Sequence, residues 1–492
     1  MSMPCLQLPV VLLSYLIVIT VNHNQPSYIP HQMLGSYASW TSSMFGGHGP
    51  HIPHVSGRRR GSTTSSRKSD EADRPDPTED DTTVVDEGEK SMLLSIISQL
   101  KPGADLSRIT LPTFILEPRS MLERITNFMQ HPETLLPMTT VDDPVERFVS
   151  VVKFYLSGWH LKPPGVKKPL NPILGEQFAC YWDLPDKCRA YYISEQTSHH
   201  PPKSSYFYLA PHHHIRIDGT LKPRSRFLGN SAASMMEGVS VLTLTNKGKP
   251  GIGEKYILNQ PNIYVRGILF GTMKYELGDY VYVRCPETNL VAEIEFRVKG
   301  FFTGTYNAIQ GTIKNEKTGE KLYEITGKWN EEMYIKNELT GRSELLFDAT
   351  NAKPSLPLVR PISEQNEKES QNLWAPTISA LLKRDQEAAT DEKIKVEEKQ
   401  RSDTRKREAD GIEWVPQLFK PTDEYGLDYV IHANIDGKDP ETLEKQVLAI
   451  TPILPGSHST GKFAIPPHQS HPNDVTHITG TEPDTGAKGA ET

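Results

Sequence analysis

The sequence predicts a mainly β fold with added helices, arranged as an antiparallel sandwich or barrel. Three observations carry this. Between Gly175 and Leu346, short segments rich in Val, Ile, Tyr, Phe and Thr recur at 190–194, 205–209, 215–218, 263–275, 280–284, 292–299 and 322–328. Turn clusters separate them: Asp218-Gly219, Asn246-Lys247-Gly248, Leu277-Gly278-Asp279, Cys285-Pro286-Glu287 and Lys317-Thr318-Gly319. Strand and helix patterns do not alternate, which argues against a doubly wound parallel sheet.

Helices flank this β region. Met92, Leu93, Ile96, Ile97 and Leu100 recur at helical spacing, and Pro102-Gly103 ends the run. Two more helices are expected around 120–129 and 144–156. After Pro361 the pattern turns helical again, at 364–384 and 391–408. The run LPTFIL at 111–116 is apolar but broken by proline, with Glu117-Pro118 behind it. It suits a hydrophobic flap better than a helix or a central strand, with Glu117 and Glu123 expected on or near its outer side.

The 492 residues are only 36% hydrophobic, which points to long polar tails. Residues 1–30 hold a hydrophobic segment, LQLPVVLLSYLIVITV at 6–21, preceded by no Lys or Arg and interrupted by Pro9. A signal, an anchor, and a gene-model extension or weak membrane-touching segment all stay open for it. Residues 31–90 are expected to be disordered and acidic toward their end, and 467–492 to form a disordered tail. The net charge of −7 argues against general nucleic-acid binding.

Four cysteines, Cys5, Cys180, Cys188 and Cys285, are too few for a disulfide framework. A tight turn at 184–187 would pair Asp183 with Cys188 and leave Cys180 out of register for a bridge. Reduced thiols follow.

The run SEQTSHHPP at 194–202 concentrates chemistry. The prolines forbid a helix, and the neutral histidine pair, His199 and His200, offers two N–H donors. Lys167 and Lys168, followed by Asn171, lie on another proline-bracketed loop. Together they would receive a phosphate. Lys393, Glu397 and Arg401 share one face of a helix at i, i+4 and i+8, so both cations can reach an anion while Glu397 holds them. Enzyme readings are poor. Ser198 and His199 are sequence neighbours, and there is no G-x-S-x-G elbow, Walker loop or H-E-x-x-H run. His212-His213-His214 would splay to alternate faces of a strand, so no metal site is expected.

EQTSHHPP at 195–202, KPLNPILGE at 168–176, SRFLGNS at 225–231 and QPNIYVRGILFG at 260–271 together resemble the oxysterol-binding-protein-related family, over residues 92–466. LPTFILEPRSMLERITNFM at 111–129 resembles its short fungal branch, which exchanges phosphatidylserine for phosphatidylinositol 4-phosphate. The resemblance implies a near-complete antiparallel β-barrel enclosing a lipid tunnel. The domain would span 91–466, with a helix and lid at 91–130, the barrel at 131–355 and a helical C-terminal region at 356–466. It implies a phosphoinositide headgroup site of Lys168, Asn171, His199, His200, Lys393, Glu397 and Arg401. It also implies a lid of Leu111, Thr113, Phe114 and Ile115, with Ser225 near the phosphatidylserine headgroup. No cofactor or metal is implied. The ligands would be phosphatidylserine and phosphatidylinositol 4-phosphate, with sterol as the alternative cargo and a non-transporting lipid sensor as the alternative role. The partners would be anionic membranes, touched peripherally, and a tether protein at membrane contact sites, with no nucleic acid. The location implied is cytoplasmic, at contacts of the endoplasmic reticulum with the plasma membrane, although the N-terminal segment is untypical of the branch. A tunnel suits such cargo: about thirty methylenes at about 0.8 kcal/mol each must leave water.

Overall fold

In this computed structural model the described residues are 81–106, 109, 111–300 and 304–458. The hydrophobic segment at 1–30, the acidic stretch before Asp81 and the tail at 467–492 lie outside them.

The N-terminal part carries β1 (Thr82–Val84), α1 (Glu87–Ile97), β2 (Leu116–Ser120), α2 (Met121–Arg124), α3 (Pro132–Leu135), α4 (Pro144–Ser157) and β3 (Lys168–Leu170). The β region follows with β4 (Gln177–Asp183), β5 (Arg189–His199), β6 (Pro202–Ala210), β7 (Ile215–Phe227), β8 (Ser231–Lys249) and β9 (Gly253–Leu258). It continues with β10 (Asn262–Arg266), β11 (Thr272–Cys285), β12 (Leu290–Arg297), β13 (Ala308–Asn315), β14 (Lys321–Lys328), β15 (Glu332–Asn337) and β16 (Ser343–Asp348). The C-terminal part holds α5 (Ser370–Leu373), α6 (Ala375–Leu382), α7 (Gln386–Ala409), β17 (Phe419–Pro421), β18 (Tyr429–Ile431) and α8 (Pro440–Leu448).

Fourteen strands form one antiparallel sheet running from β16 through β10 and β8 to β4, with β1 added to β11 and β9 lying against β8 and β11. Sequential hairpins dominate, as the turn clusters require. Among the described residues no strand pair joins β4 to β16, so the ladder is not closed. Chain segments cover the β4 edge instead: Tyr181 bridges Leu358, and Gln177 bridges Glu369.

The strands face two environments. Val281 and Val283 on β11 are buried while Tyr280 and Tyr282, which alternate with them, are exposed, the period-two signature of a one-sided strand. On β5 and β6 both faces are covered. Tyr192, Tyr206 and Tyr208 belong to the main core, whereas Tyr191, Ile193, Phe207 and Leu209 pack against Phe419, Ile431 and Val447 of the C-terminal part. That part is therefore not only helical, since β17 and β18 pair within it.

Helix α4 fills the concave side. Its N-cap Asp143 accepts from the amides of Val145 and Glu146, and Phe148, Val151, Val152, Tyr155 and Leu156 form its buried stripe. Arg147 leaves that stripe to make a two-pronged ion pair with Glu254 at 2.8 and 2.9 Å, while Nη1 donates to the carbonyls of Val141 and Asp142. Between α4 and the sheet lies an apolar cavity of about 30 Å³, lined by Met129, Phe154, Tyr155, Trp159, Ile217 and Leu258 among others. That is room for about one water.

Several expectations are corrected. Residues 81–90, expected to be disordered, hold β1 and the start of α1. Asp81 is buried, ion-pairs with Lys162 at 2.7 Å and accepts from Asn307. Asp86 and Glu89 form a reciprocal capping box on α1. A three-residue strand has no pattern of its own and becomes visible only through its partner β11. The segment 263–275 is not one strand. Gly267 and Gly271, at φ 76° and 77°, bracket a short 3₁₀ turn between β10 and β11. Conversely, Asp218-Gly219 and Leu277-Gly278-Asp279 lie inside β7 and β11. At Gly219 a Cβ would collide with the Tyr206 ring, so that glycine serves close packing and not a turn. The expected helix at 364–384 divides into α5 and α6 at Trp374, with Pro376 opening the second. Asp183 pairs with Arg189, not Cys188, because Lys187 adopts φ 67° and adds a residue to the turn. Cys180, Cys188 and Cys285 are free thiols. Among the described residues no helix is long and apolar enough to cross a membrane.

Candidate functional site

The β5–β6 hairpin brings the double histidine to a corner. His199 pairs with Pro202, leaving His200-Pro201 as the two-residue turn, with a cis peptide between them. The two imidazoles meet edge to face with centroids 4.5 Å apart. His199 Nδ1 lies 3.1 Å from the carbonyl oxygen of Pro172, which ties the corner to the loop carrying Asn171. Asn171 itself is exposed there. A carbonyl can only accept, so Nδ1 carries the proton. One of the two donors expected of the neutral pair is thus already used. Burial, reinforced by His200, holds His199 down at about 4.

β3 contributes Lys168. Desolvation lowers its pKa, and Lys393 lowers it further while Asp105 and Glu397 act in the opposite direction. Among the described residues the Lys168 side chain makes no hydrogen bond or ion pair. Helix α7 supplies the other wall. Its buried residues are Ala389 and Lys393, one turn apart. Burying a lysine is costly unless an anion meets it. Glu397 does so at 2.5 Å and also reaches Arg401 at 3.6 Å. Arg401 is half-exposed and pairs with Glu398 as well, at 3.2 Å. His199 senses Glu397 and Arg401, which joins the corner to this helix.

The flap at 111–116 lies against the same wall. Thr113 donates to Gln386 Oε1 at 2.5 Å and sits 3.4 Å from the Thr390 hydroxyl, both on α7. Lys167 Nζ donates to the Phe114 carbonyl at 2.6 Å. Phe114 and Ile115 pack on the main core, while Leu111 is half-buried. Leu116 then pairs with Lys168 in a parallel β2–β3 bridge. Glu117 does not ride on the outer side. It is buried and bonded to Arg119 and Arg124. Glu123 is also withdrawn from solvent, and its desolvation raises its pKa.

Ser225 stands apart from this cluster. It is half-buried on β7, in register with Ser234. Its neighbour Arg226 bridges Asp105, the carboxylate that acts on Lys168.

Two supporting carboxylates escaped the sequence reading. Glu176 is fully buried and accepts from Ser120, Ser370, Trp374 Nε1 and the Ile173 amide at 2.5, 2.7, 3.0 and 3.0 Å. It joins the flap strand, the Asn171 loop and the start of α5 and α6. Glu195 accepts from the amides of Gln417 and Leu418 at 2.8 and 2.7 Å, and desolvation pushes it up to about 7. Glu195 had one available signal, an acidic residue inside a strand pattern; Glu176 lies in the loop before β4 and had none. The histidine run 212–214 is not a strand. Pro211–His213 is a 3₁₀ turn closed by His214 at φ 57°.

The arrangement is a cationic, imidazole-lined cup beside an apolar flap. The oxysterol-binding protein family profile matches residues 95–439. Oxysterol-binding protein-like protein OBPa of Candida albicans is 56% identical over 389 residues, which is 78% of this chain and 89% of that protein. Oxysterol-binding protein homolog 6 of Saccharomyces cerevisiae is 51% identical over 418 residues, 83% of this chain and 92% of that protein. Among solved structures, the Osh1 ORD domain in complex with ergosterol is similar at TM-score 0.59 and 26% identity, covering 68% of this chain and 85% of that one. The family match over most of the described chain, with relatives more than half identical along nearly their whole length, settles the affiliation: this chain belongs to the oxysterol-binding protein family of lipid-binding and lipid-transfer domains.

Proposed function

We propose that this chain counter-exchanges phosphatidylserine and phosphatidylinositol 4-phosphate between membranes, one lipid at a time. The observation that supports it is the half-buried cationic cup. Lys168 has no side-chain ion pair among the described residues, Lys393 is held by Glu397, and Arg401 is shared between Glu397 and Glu398, so three cations face two carboxylates beside the two histidines. A dianionic phosphomonoester matches that surplus of charge. Phosphatidylserine lacks the monoester, so it would depend on the flap and interior more than on the cup. Both cargoes would occupy one interior in turn, so the gradient of one can drive the other.

The test is extraction from liposomes containing each lipid separately. His199→Ala with His200→Ala should abolish extraction of phosphatidylinositol 4-phosphate, with phosphatidylserine much less affected and the circular dichroism unchanged. Equal extraction of the phosphoinositide by variant and wild type would exclude the cup as its site.

Sterol as forward cargo is the second reading. It is favoured by Tyr155 Oη and Trp159 Nε1, two buried polar atoms without partners at the cavity. A cargo with one hydroxyl and no charge would satisfy such groups. Sterol transfer that Tyr155→Phe weakens would establish this reading over the first.

A further inference from the structure

The opposite end of β5 holds a second cluster that the lipid cup does not use. Ten residue steps of extended chain separate His199 from Arg189, or about 33 Å at about 3.3 Å per residue. Beyond Arg189 lies the β4–β5 turn, with Asp186 and Cys188 on it. The next turn of the sheet, between β6 and β7, brings His213 beside them. One ligand atom from each of Asp186, Cys188 and His213 falls within 4.8 Å of the others.

The local backbone explains why they converge. Lys187 in the left-handed region lets the chain fold back, and Asp186 Oδ1 accepts from the Cys188 amide at 3.1 Å. That bond leaves Oδ2 free, and it lies 2.8 Å from His213 Nε2. The 3₁₀ turn started by Pro211 prevents the three histidines from splaying as they would on a strand, and it turns His213 toward the carboxylate. His213 Nε2 is withdrawn from solvent yet makes no well-directed hydrogen bond. So a ring nitrogen, a carboxylate and a thiol converge, with the carboxylate as the partner that the other two share.

We infer that Asp186, Cys188 and His213 form a binding site for a borderline-soft divalent cation, Zn2+ foremost, that clamps the two turns together. The donor set fits. Nitrogen, oxygen and thiolate sulfur are the Zn2+ ligands of proteins, at about 2.0–2.3 Å from the metal. Tetrahedral geometry at those lengths spaces ligand atoms about 3.5 Å apart. Asp186 and His213 need to separate slightly, and the sulfur to close in. Both moves are small for partly exposed side chains on turns. Glu444 of α8 acts electrostatically on Cys188 and accepts from Tyr191 Oη. The fourth position falls to that carboxylate or to a water. On binding, the Cys188 thiol gives its proton to solvent and the sulfur takes its place on the metal, so one proton leaves per cation.

The experiment uses the full chain, reduced and stripped with a chelator, titrated with Co2+ as an optical stand-in for Zn2+. The expected result is one equivalent bound with a thiolate-to-cobalt band, displaced by Zn2+. Cys188→Ser abolishes the band, and His213→Ala weakens binding at least tenfold. Zn2+ also raises the Tm of wild type by several degrees and leaves that of Cys188→Ser unmoved. Asp186→Asn gives a second, structurally mild variant that should weaken binding. A wild-type protein with no thiolate band, or a band unchanged in Cys188→Ser, overturns the proposal. His199→Ala with His200→Ala should bind the metal normally. Loss of bound cobalt in that variant would place the metal at the cup instead and refute the turn site.

Discussion

His199 Nδ1 and the Pro172 carbonyl oxygen are 3.1 Å apart, and this contact decides what the corner can offer a ligand. With its one neutral-state proton given to Pro172, His199 presents a bare Nε2 to the cup. Nε2 becomes a donor only when the ring takes up a second proton.

Phosphoinositide binding should therefore absorb protons. Unliganded His199 sits at about 4 and is neutral at pH 7. A phosphate raises that value by favouring the charged ring. Calorimetry at pH 6.5 in buffers of different ionisation enthalpy should show greater net proton uptake for wild type than for His199→Gln. Equal uptake by both would mean that Nε2 does not meet the phosphate.

Acid stability should track the depressed histidines. His160, 2.8 Å from His131 through their Nε2 atoms, is held at about 4 by burial and then by His131. His199 behaves alike. The unfolded chain binds these protons from about pH 6.5, the folded chain only near 4, so stability is lost as pH falls across that window. Each ring costs about 1.4 kcal/mol for every tenfold drop in its proton affinity on folding. Tm measured from pH 7 to 4.5 should fall, and less steeply for His160→Gln.

Lys393→Glu should weaken phosphoinositide binding by about 1–3 kcal/mol, the worth of a lost charge-assisted contact. It also places a second carboxylate beside Glu397. If affinity for phosphoinositide vesicles does not move, α7 is only a solvated wall.

The flap should loosen when its tie to α7 is cut. Thr113→Val removes the bond to Gln386, worth about 1 kcal/mol. Escape of bound lipid to acceptor vesicles should quicken about fivefold. Glu117 is internally paired and supplies no outer charge, so the acidic-cover reading rests on the acidic run before Asp81. Deletion of 1–80, which spares β1, should then lengthen retention on phosphatidylserine-rich liposomes at low salt and not at high salt.

Arg147→Leu should be the most destabilising of these changes. It strands Glu254 in the core without its counter-ion, and such losses cost about 3–5 kcal/mol. Tm should drop sharply. Arg147→Leu with Glu254→Leu should recover part of the loss.

Local chemistry alone determined much here. Proline after the double histidine, the period-two strands, the stripe of α4 and the i, i+4, i+8 face of α7 can all be read because each depends on neighbours within a few residues. The six cup residues Lys168, His199, His200, Lys393, Glu397 and Arg401 were picked out that way and through the family resemblance. Tertiary structure decided the rest. It buried Glu117 and Glu176, which composition alone would leave in water, by delivering donors from distant segments. It turned Asp81, Asp86 and Glu89 from a tail into a strand anchor and a helix cap, through a β11 nearly two hundred residues away. It fixed the tautomer of His199 through Pro172, and it drew Asp186, Cys188 and His213 together from separate turns. A side chain's protonation and partners depend on which surfaces exclude water around it, and that exclusion exists only once the whole sheet has folded.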